Sequence, residues 1–129
     1  MIVKLPLQEI VNNIDFFSEF SKKEMNARVA YKFAKILKQI VEEYNSYNAV
    51  RQKLIDKYAN KDDNGLIIYN SDGGATLSNE NYQSFTEELE KLLSTEVELN
   101  IIPIELNDIE NINFTPGQMA IFEQFIVEE

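Results

Sequence analysis

The sequence predicts an α+β fold, mainly helical, with one long central helix and a small antiparallel or mixed sheet that includes a hairpin. Three observations carry this. An uninterrupted helical periodicity runs from Ala27 to Tyr58, short alternating segments occur at Ile2–Leu5 and Glu96–Ile101, and a glycine-bearing turn separates two apolar runs near residue 70. With 129 residues the chain can bury one proper core, so a single domain is expected. Within it, residues 1–25 hold an N-terminal strand and helix, 26–60 the long helix, and 61–129 a hairpin, helix, strand and C-terminal helix.

The central helix organises the rest. Phe33, Leu37, Ile40, Tyr44, Tyr47, Arg51, Leu54 and Tyr58 recur in alternating steps of four and three, the seam of a heptad repeat. Val29, Ile36, Val41 and Ile55 widen that seam into a core-facing stripe. Asn26 is the expected N-cap, its side chain accepting from a free backbone N–H of the first turn. At 1.5 Å per residue the helix spans roughly 48 Å, whereas a compact chain of this size has a radius of gyration of only about 14 Å. Such a helix protrudes, bends or is covered by a second copy, and Asn45, Ser46 and Asn48 mark the place for a bend.

Around it, Ile2–Leu5 reads as a strand and Pro6 as the first turn of a helix. Leu7, Ile10, Val11, Ile14, Phe17 and Phe20 follow at helical spacing. Leu66–Tyr69 and Ala75–Leu77 flank Asn70–Gly74, a small hairpin. Ser78 or Asn79 caps a helix whose Tyr82, Phe85, Leu89, Leu92 and Leu93 share one face. Glu96–Ile101 alternates as a half-buried strand, and Pro103 interrupts its ladder before Ile104–Leu106. Residues 107–112 read as a loop with one helical turn. Thr115-Pro116 then opens a short last helix with Met119, Phe122 and Ile126 inward. The sheet is expected to combine the N-terminal strand, the hairpin and the strand near residue 99.

Chemistry is constrained by what is missing. There is no histidine and no cysteine, which removes the usual general base, the thiolate, disulfides and most zinc sites. No nucleotide-binding glycine motif is present. No catalytic residue, no metal ligand and no cofactor is assigned, and an enzyme is not expected. Asn60-x-Asp62-x-Asn64-Gly65 copies the start of a calcium loop, but Ser71 stands where a bidentate glutamate is needed; a helix-to-hairpin turn accounts for it better. In Asp72-Gly73-Gly74 the aspartate repels anions, and a turn explains the glycines.

The net charge of −10 is unevenly distributed. Residues 1–61 hold eleven Lys/Arg against seven Asp/Glu, a surplus of +4, and residues 62–129 hold Lys91 against fifteen acids, −14. This polarity favours head-to-tail association of copies or two oppositely charged partners; an acidic, soluble surface without a partner explains it as simply. Half of the basic residues, Lys22, Lys23, Arg28, Lys32, Lys35 and Lys38, gather within seventeen positions. Arg28, Lys32 and Lys35 fall on one helical face, with Tyr31 and Lys38 beside them. An aromatic ring next to such a ridge can stack a base while the cations hold phosphate. These five residues are the candidate ligand site; the alternatives are a solvated face, or a ridge that meets the acidic half of another subunit. Duplex DNA is not expected, because the acidic half would repel a long polyanion. No apolar run reaches the roughly 20 residues of a membrane span, and the first residues lack a signal peptide's pattern, so no membrane partner and a cytoplasmic location are expected.

Ala30-Tyr31-Lys32-Phe33-Ala34-Lys35, Tyr47 through Tyr58, Lys61-Asp62-Asp63-Asn64-Gly65, Phe85 through Leu93, Glu96-Val97-Glu98-Leu99, Phe114 through Met119 and Phe125-Ile126 follow in that order. In this order of segments the chain, from about Ala27 onward, resembles a family of small, uncharacterised proteins of tailed bacteriophages. It departs from the family near Ala27, where a proline-bearing entry to the helix is expected. The resemblance brings no catalytic or binding residue. It implies a phage protein in the host bacterial cell that counters host defence, as a sponge for a nucleotide-type signal or by binding a host protein. The alternative is an accessory or chaperone of head or tail assembly.

Overall fold

The computed structural model describes residues 1–128. The fold is α+β and mainly helical. In chain order it comprises β1 (Ile2–Pro6), α1 (Leu7–Phe20), α2 (Ala27–Tyr58), α3 (Asn79–Leu93), β2 (Glu96–Asn100), β3 (Ile104–Glu105), α4 (Pro116–Phe122) and β4 (Ile126–Val127), with short 3-10 turns at Leu106–Ile109 and Glu123–Phe125. The chain divides into two compact units, one of residues 1–44 and 96–129, the other of residues 45–95.

In the first unit β1 and β2 pair antiparallel, with Val3 opposite Leu99 and Leu5 opposite Val97. These four side chains are buried while Lys4 and Glu98, paired on the other face, stand in solvent 3.8 Å apart. The alternation seen in the sequence is therefore one dry face and one wet face. Met1 and Ile101 extend the ladder through their main chains. Pro6 ends the strand and occupies the N-cap position of α1, one residue earlier than the first-turn place expected for it. Its φ of −69° suits either place, and with ψ at 147° the backbone is still extended.

A phenylalanine cluster fills the centre of this unit. Phe20, at the end of α1, meets Phe33 of α2 and Phe122 of α4, each with ring centroids 4.7 Å away, and stacks on Phe114 at 5.5 Å. Phe17 and Phe122 both adjoin Phe125. Val29, Ile36 and Ile40 of α2 are fully buried, but Val41, expected in the same stripe, is 40% exposed. Thr115 caps α4 with a full capping box. Its hydroxyl accepts from the Gln118 amide at 3.2 Å, and the Gln118 side chain accepts from the Thr115 amide at 3.0 Å. α4 is shorter than expected: Ile126 lies in β4, parallel to β3, and Phe125 is the buried residue there.

α2 is assigned as helix without a break through Asn45, Ser46 and Asn48, and the division between units falls at Asn45. Asn26 caps its start, accepting from Val29 N at 3.0 Å. In the second unit, Asn60 N donates to the Thr76 carbonyl, and Ile68 exchanges main-chain bonds with both Asn60 and Thr76. The hairpin thus pairs within itself and with the segment just after α2. The expectation that it would join the β1–β2 sheet is corrected: that sheet has two strands only, and the second small sheet is β3 with β4. Ser78 is the cap of α3, accepting from the Asn81 amide. Phe85, Leu89, Leu92 and Leu93 are half-buried, whereas Tyr82, expected on the same inner face, is 60% exposed.

Candidate functional site

The five residues singled out by the sequence all lie on α2 within the first unit, and the fold sorts them into two neighbouring rows. Tyr31, Lys35 and Lys38 stand at i, i+4 and i+7 and form one row. Tyr31 is 59% exposed, and the Lys35 ammonium sits over its ring, 4.9 Å from the centroid. Arg28 and Lys32 form the adjacent row. Arg28 Nη1 lies 3.9 Å from Asp108 Oδ2, an oxygen that is buried and has no hydrogen-bond partner among the described residues. Arg28 is thereby partly committed to the loop after β3. Lys32, Lys35 and Lys38 form no ion pair among the described residues.

Beyond the row lies a surface depression of about 560 Å³, lined by Lys35, Lys38, Gln39, Glu42 and residues 100–102. Gln39 builds its wall. Its amide nitrogen donates to the Asn100 carbonyl at 2.8 Å, and its amide oxygen accepts from the Asn100 N–H at 2.9 Å. That pair of hydrogen bonds holds the end of β2 against α2, and Ile102, 43% exposed, also lines the depression. Two exposed lysines, Lys35 held over an aromatic ring and Lys38 beside it, next to an exposed isoleucine suit an anion with a flat apolar portion. Glu42 also lines the depression and disfavours a negative group placed beside it. Gln39, Asn100 and Ile102 were not legible as site residues, because 61 positions separate Gln39 from Asn100 and no local pattern joins them.

The two loops that resemble ion sites have their polar atoms engaged locally. Asp62 Oδ1 accepts from the amides of Asn64 and Leu66, at 2.9 and 3.0 Å, and Gly65 has a φ of 80°. The Gly74 amide donates to Asn70 Oδ1 and Asp72 Oδ1, both at 2.9 Å, and so is turned away from any phosphate. Both are side-chain-braced turns.

Among the described residues no helix is long and apolar enough to cross a membrane. Comparison with protein-family models, with curated proteins and with solved structures finds no match to this chain.

Proposed function

We propose that this protein is a non-enzymatic, phage-encoded, self-associating binding protein that counters host defence by sequestering a small nucleotide-type anion in the host cytoplasm. The observation that carries this reading is the row Tyr31–Lys35–Lys38 beside the depression walled by Gln39. There, cations without acid partners persist on a chain of net charge −10. Lys4, Lys22 and Lys57 each have a carboxylate within 4 Å, whereas these lysines have none among the described residues and stand together, so the cluster is available to an external anion. The phosphates sit on Lys35 and Lys38, Lys32 adds long-range attraction, and the base lies against Tyr31 or Ile102. Arg28 orders the helix start through Asp108 and contributes charge only.

The test is a thermal-shift and calorimetric screen of nucleotides against the full chain. A ligand at one hundred times its Kd stabilises the native state by about 2.7 kcal/mol. Charge reversal by Lys32→Glu with Lys35→Glu is expected to abolish uptake and leave the unfolding midpoint of the free protein nearly unchanged, since Lys35 is exposed, Lys32 is only half-buried, and neither is in an ion pair among the described residues. Uptake that survives both reversals rejects the site.

A second reading has its own support in the exposed apolar side chains of the hairpin, Leu66, Ile68 and Tyr69, which suit a protein partner. Under it the chain covers a host protein or serves as an accessory of head or tail assembly. It predicts co-purification with that partner, or with capsid or tail proteins, and indifference to nucleotides.

A further inference from the structure

The phase of the β1–β2 ladder decides which backbone groups of the sheet point outward. Ile101 N donates to the Met1 carbonyl at 2.8 Å, continuing the register that sets Ile2 opposite Asn100. Bonded and non-bonded positions alternate along an antiparallel pair. Met1, Val3 and Leu5 therefore bond inward to β2, whereas Ile2, Lys4 and Pro6 turn their main-chain groups outward. Two residues agree with this phase. Pro6, which has no N–H, stands at an outward position. Asn100, opposite Ile2, turns its N–H and C=O away from β1, and the Gln39 side chain takes both.

The two edges of the sheet thus differ. Gln39 closes the β2 edge at Asn100 much as a strand would, and Glu96 and Glu98 occupy the rest of it. On the β1 edge the N–H and C=O groups of Ile2 and Lys4 have no partner among the described residues. Ile2 is 59% exposed and Lys4 is exposed as well. Such an edge is a template for another strand.

The strand that fits it is β1 itself. With Val3 facing its own copy across a two-fold axis, Ile2 of each chain lies opposite Lys4 of the other. Each of these pairs exchanges N–H···O bonds in both directions, so all the open groups of both residues are used. On the wet face the row then reads Glu98, Lys4, Ile2, Asn100 from one copy to the next, with no like charges opposite and the lysine stem over the exposed isoleucine. Lys4 opposite Lys4 would set like charges together and leave the Ile2 carbonyl open, since Pro6 has no donor. Self-pairing of β2 would set Glu96 against Glu98.

We propose that β1 is the edge on which two copies of this chain associate, giving a four-stranded antiparallel sheet in the order β2-β1-β1-β2. This rests on the self-association in the reading above and does not involve Tyr31, Lys35 or Lys38.

Sedimentation of the full chain over a concentration series is expected to give a monomer–dimer equilibrium with no larger species. In the dimer the Ile2 and Lys4 amides should exchange with solvent about tenfold or more slower than in the dilute monomer, while Val3 and Leu5, bonded to β2, are slow in both. Lys4→Pro removes an outward N–H and no bond to β2, and is expected to weaken dimerisation about tenfold or more. A chain that is monomeric at every concentration overturns the proposal and leaves the edge to an extended segment of another protein. Growth beyond the dimer overturns it in favour of β1 pairing head-to-tail with β2 of the next copy. A dimer that Lys4→Pro leaves intact, or whose Ile2 and Lys4 amides exchange as freely as in the monomer, overturns it too. If Lys4→Pro unfolds the chain by circular dichroism, amide exchange in the wild type decides. Nucleotide titration of the same samples keeps the two readings apart, since a monomer that takes up nucleotide refutes only the association, and a dimer that ignores it refutes only the anion site.

Discussion

Lys35 illustrates how a single side chain is placed by its surroundings. Its ammonium lies over the Tyr31 ring, 4.9 Å from the centroid, and the same residue lines the depression with Gln39. An anion in the depression competes with the ring for the cation. Ligand uptake should therefore change the tyrosine fluorescence of the wild type and leave that of a Tyr31→Leu variant unaltered. Phe20 is the contrasting case, touching rings from α2, α4 and the loop before α4. Phe20→Ala should cost about 3–5 kcal/mol of stability by urea denaturation, because the rings around it belong to different elements and cannot all close the void. Asn26 performs two tasks: it caps α2 through Val29 N and donates to the Asp108 carbonyl at 2.9 Å. Asn26→Ala should cost about 1 kcal/mol, measured the same way. The first task was legible, because asparagine before a periodic run is a local signal. The second was not, since Asp108 lies 82 residues away.

At the scale of elements, the local signals were sufficient for bounds and insufficient for partners. The limits of α2, Ala27 to Tyr58, followed from periodicity, the Asn26 cap and the turn residues after Tyr58. Thr115-Pro116 opened α4 as expected, although its capping box with Gln118 stabilises barely two turns before β4 begins. The hairpin formed where Gly73, at a φ of 90°, allows the reversal, yet its strands pair with the segment after α2 and not with β1 or β2. Turn chemistry is a property of neighbouring residues, whereas strand pairing depends on which edges meet in space. Lys57, near the end of α2, has its pKa raised, first by a hydrogen bond with the Tyr58 side chain and then by the Glu88 charge. A folded-state value above the unfolded one favours the native state throughout the range below the ordinary lysine value of 10.5 and is lost as pH rises through the raised value. The alkaline limb of the stability profile should therefore be shallower in Lys57→Met, and the profile near neutrality should keep its shape.

For the whole molecule, the chain divides into two compact units of different construction, and the charge asymmetry along the sequence does not follow that division, since both units are net negative. Residues 1–44 and 96–129 enclose nearly all of the buried side chains, including the phenylalanine cluster and the inner faces of β1 and β2. Residues 45–95 are held by main-chain pairing in the hairpin, by the Asn81 side chain on the Tyr58 carbonyl at 3.1 Å, and by half-buried rows on α3. Core substitutions such as Phe20→Ala belong to the first unit. Hydrogen exchange is expected to reflect this, with the slowest amides in α1, β2 and the first half of α2, and faster exchange across the hairpin.

By itself the sequence determined the class of fold, the long helix and its cap, the positions of the turns, and a chemistry without histidine or cysteine. Each of these is set by residues within a few positions of one another or by their absence, so the chain carries it before folding. Only the tertiary structure decided that β1 pairs with β2 alone, that Arg28 leans towards Asp108 while Lys35 turns to Tyr31, that Gln39 walls a depression with Asn100, and that Val41 and Tyr82 stay in water. Those outcomes depend on groups brought together from distant parts of the chain, where packing and the pairing of backbone edges select among side chains that periodicity treats as equal.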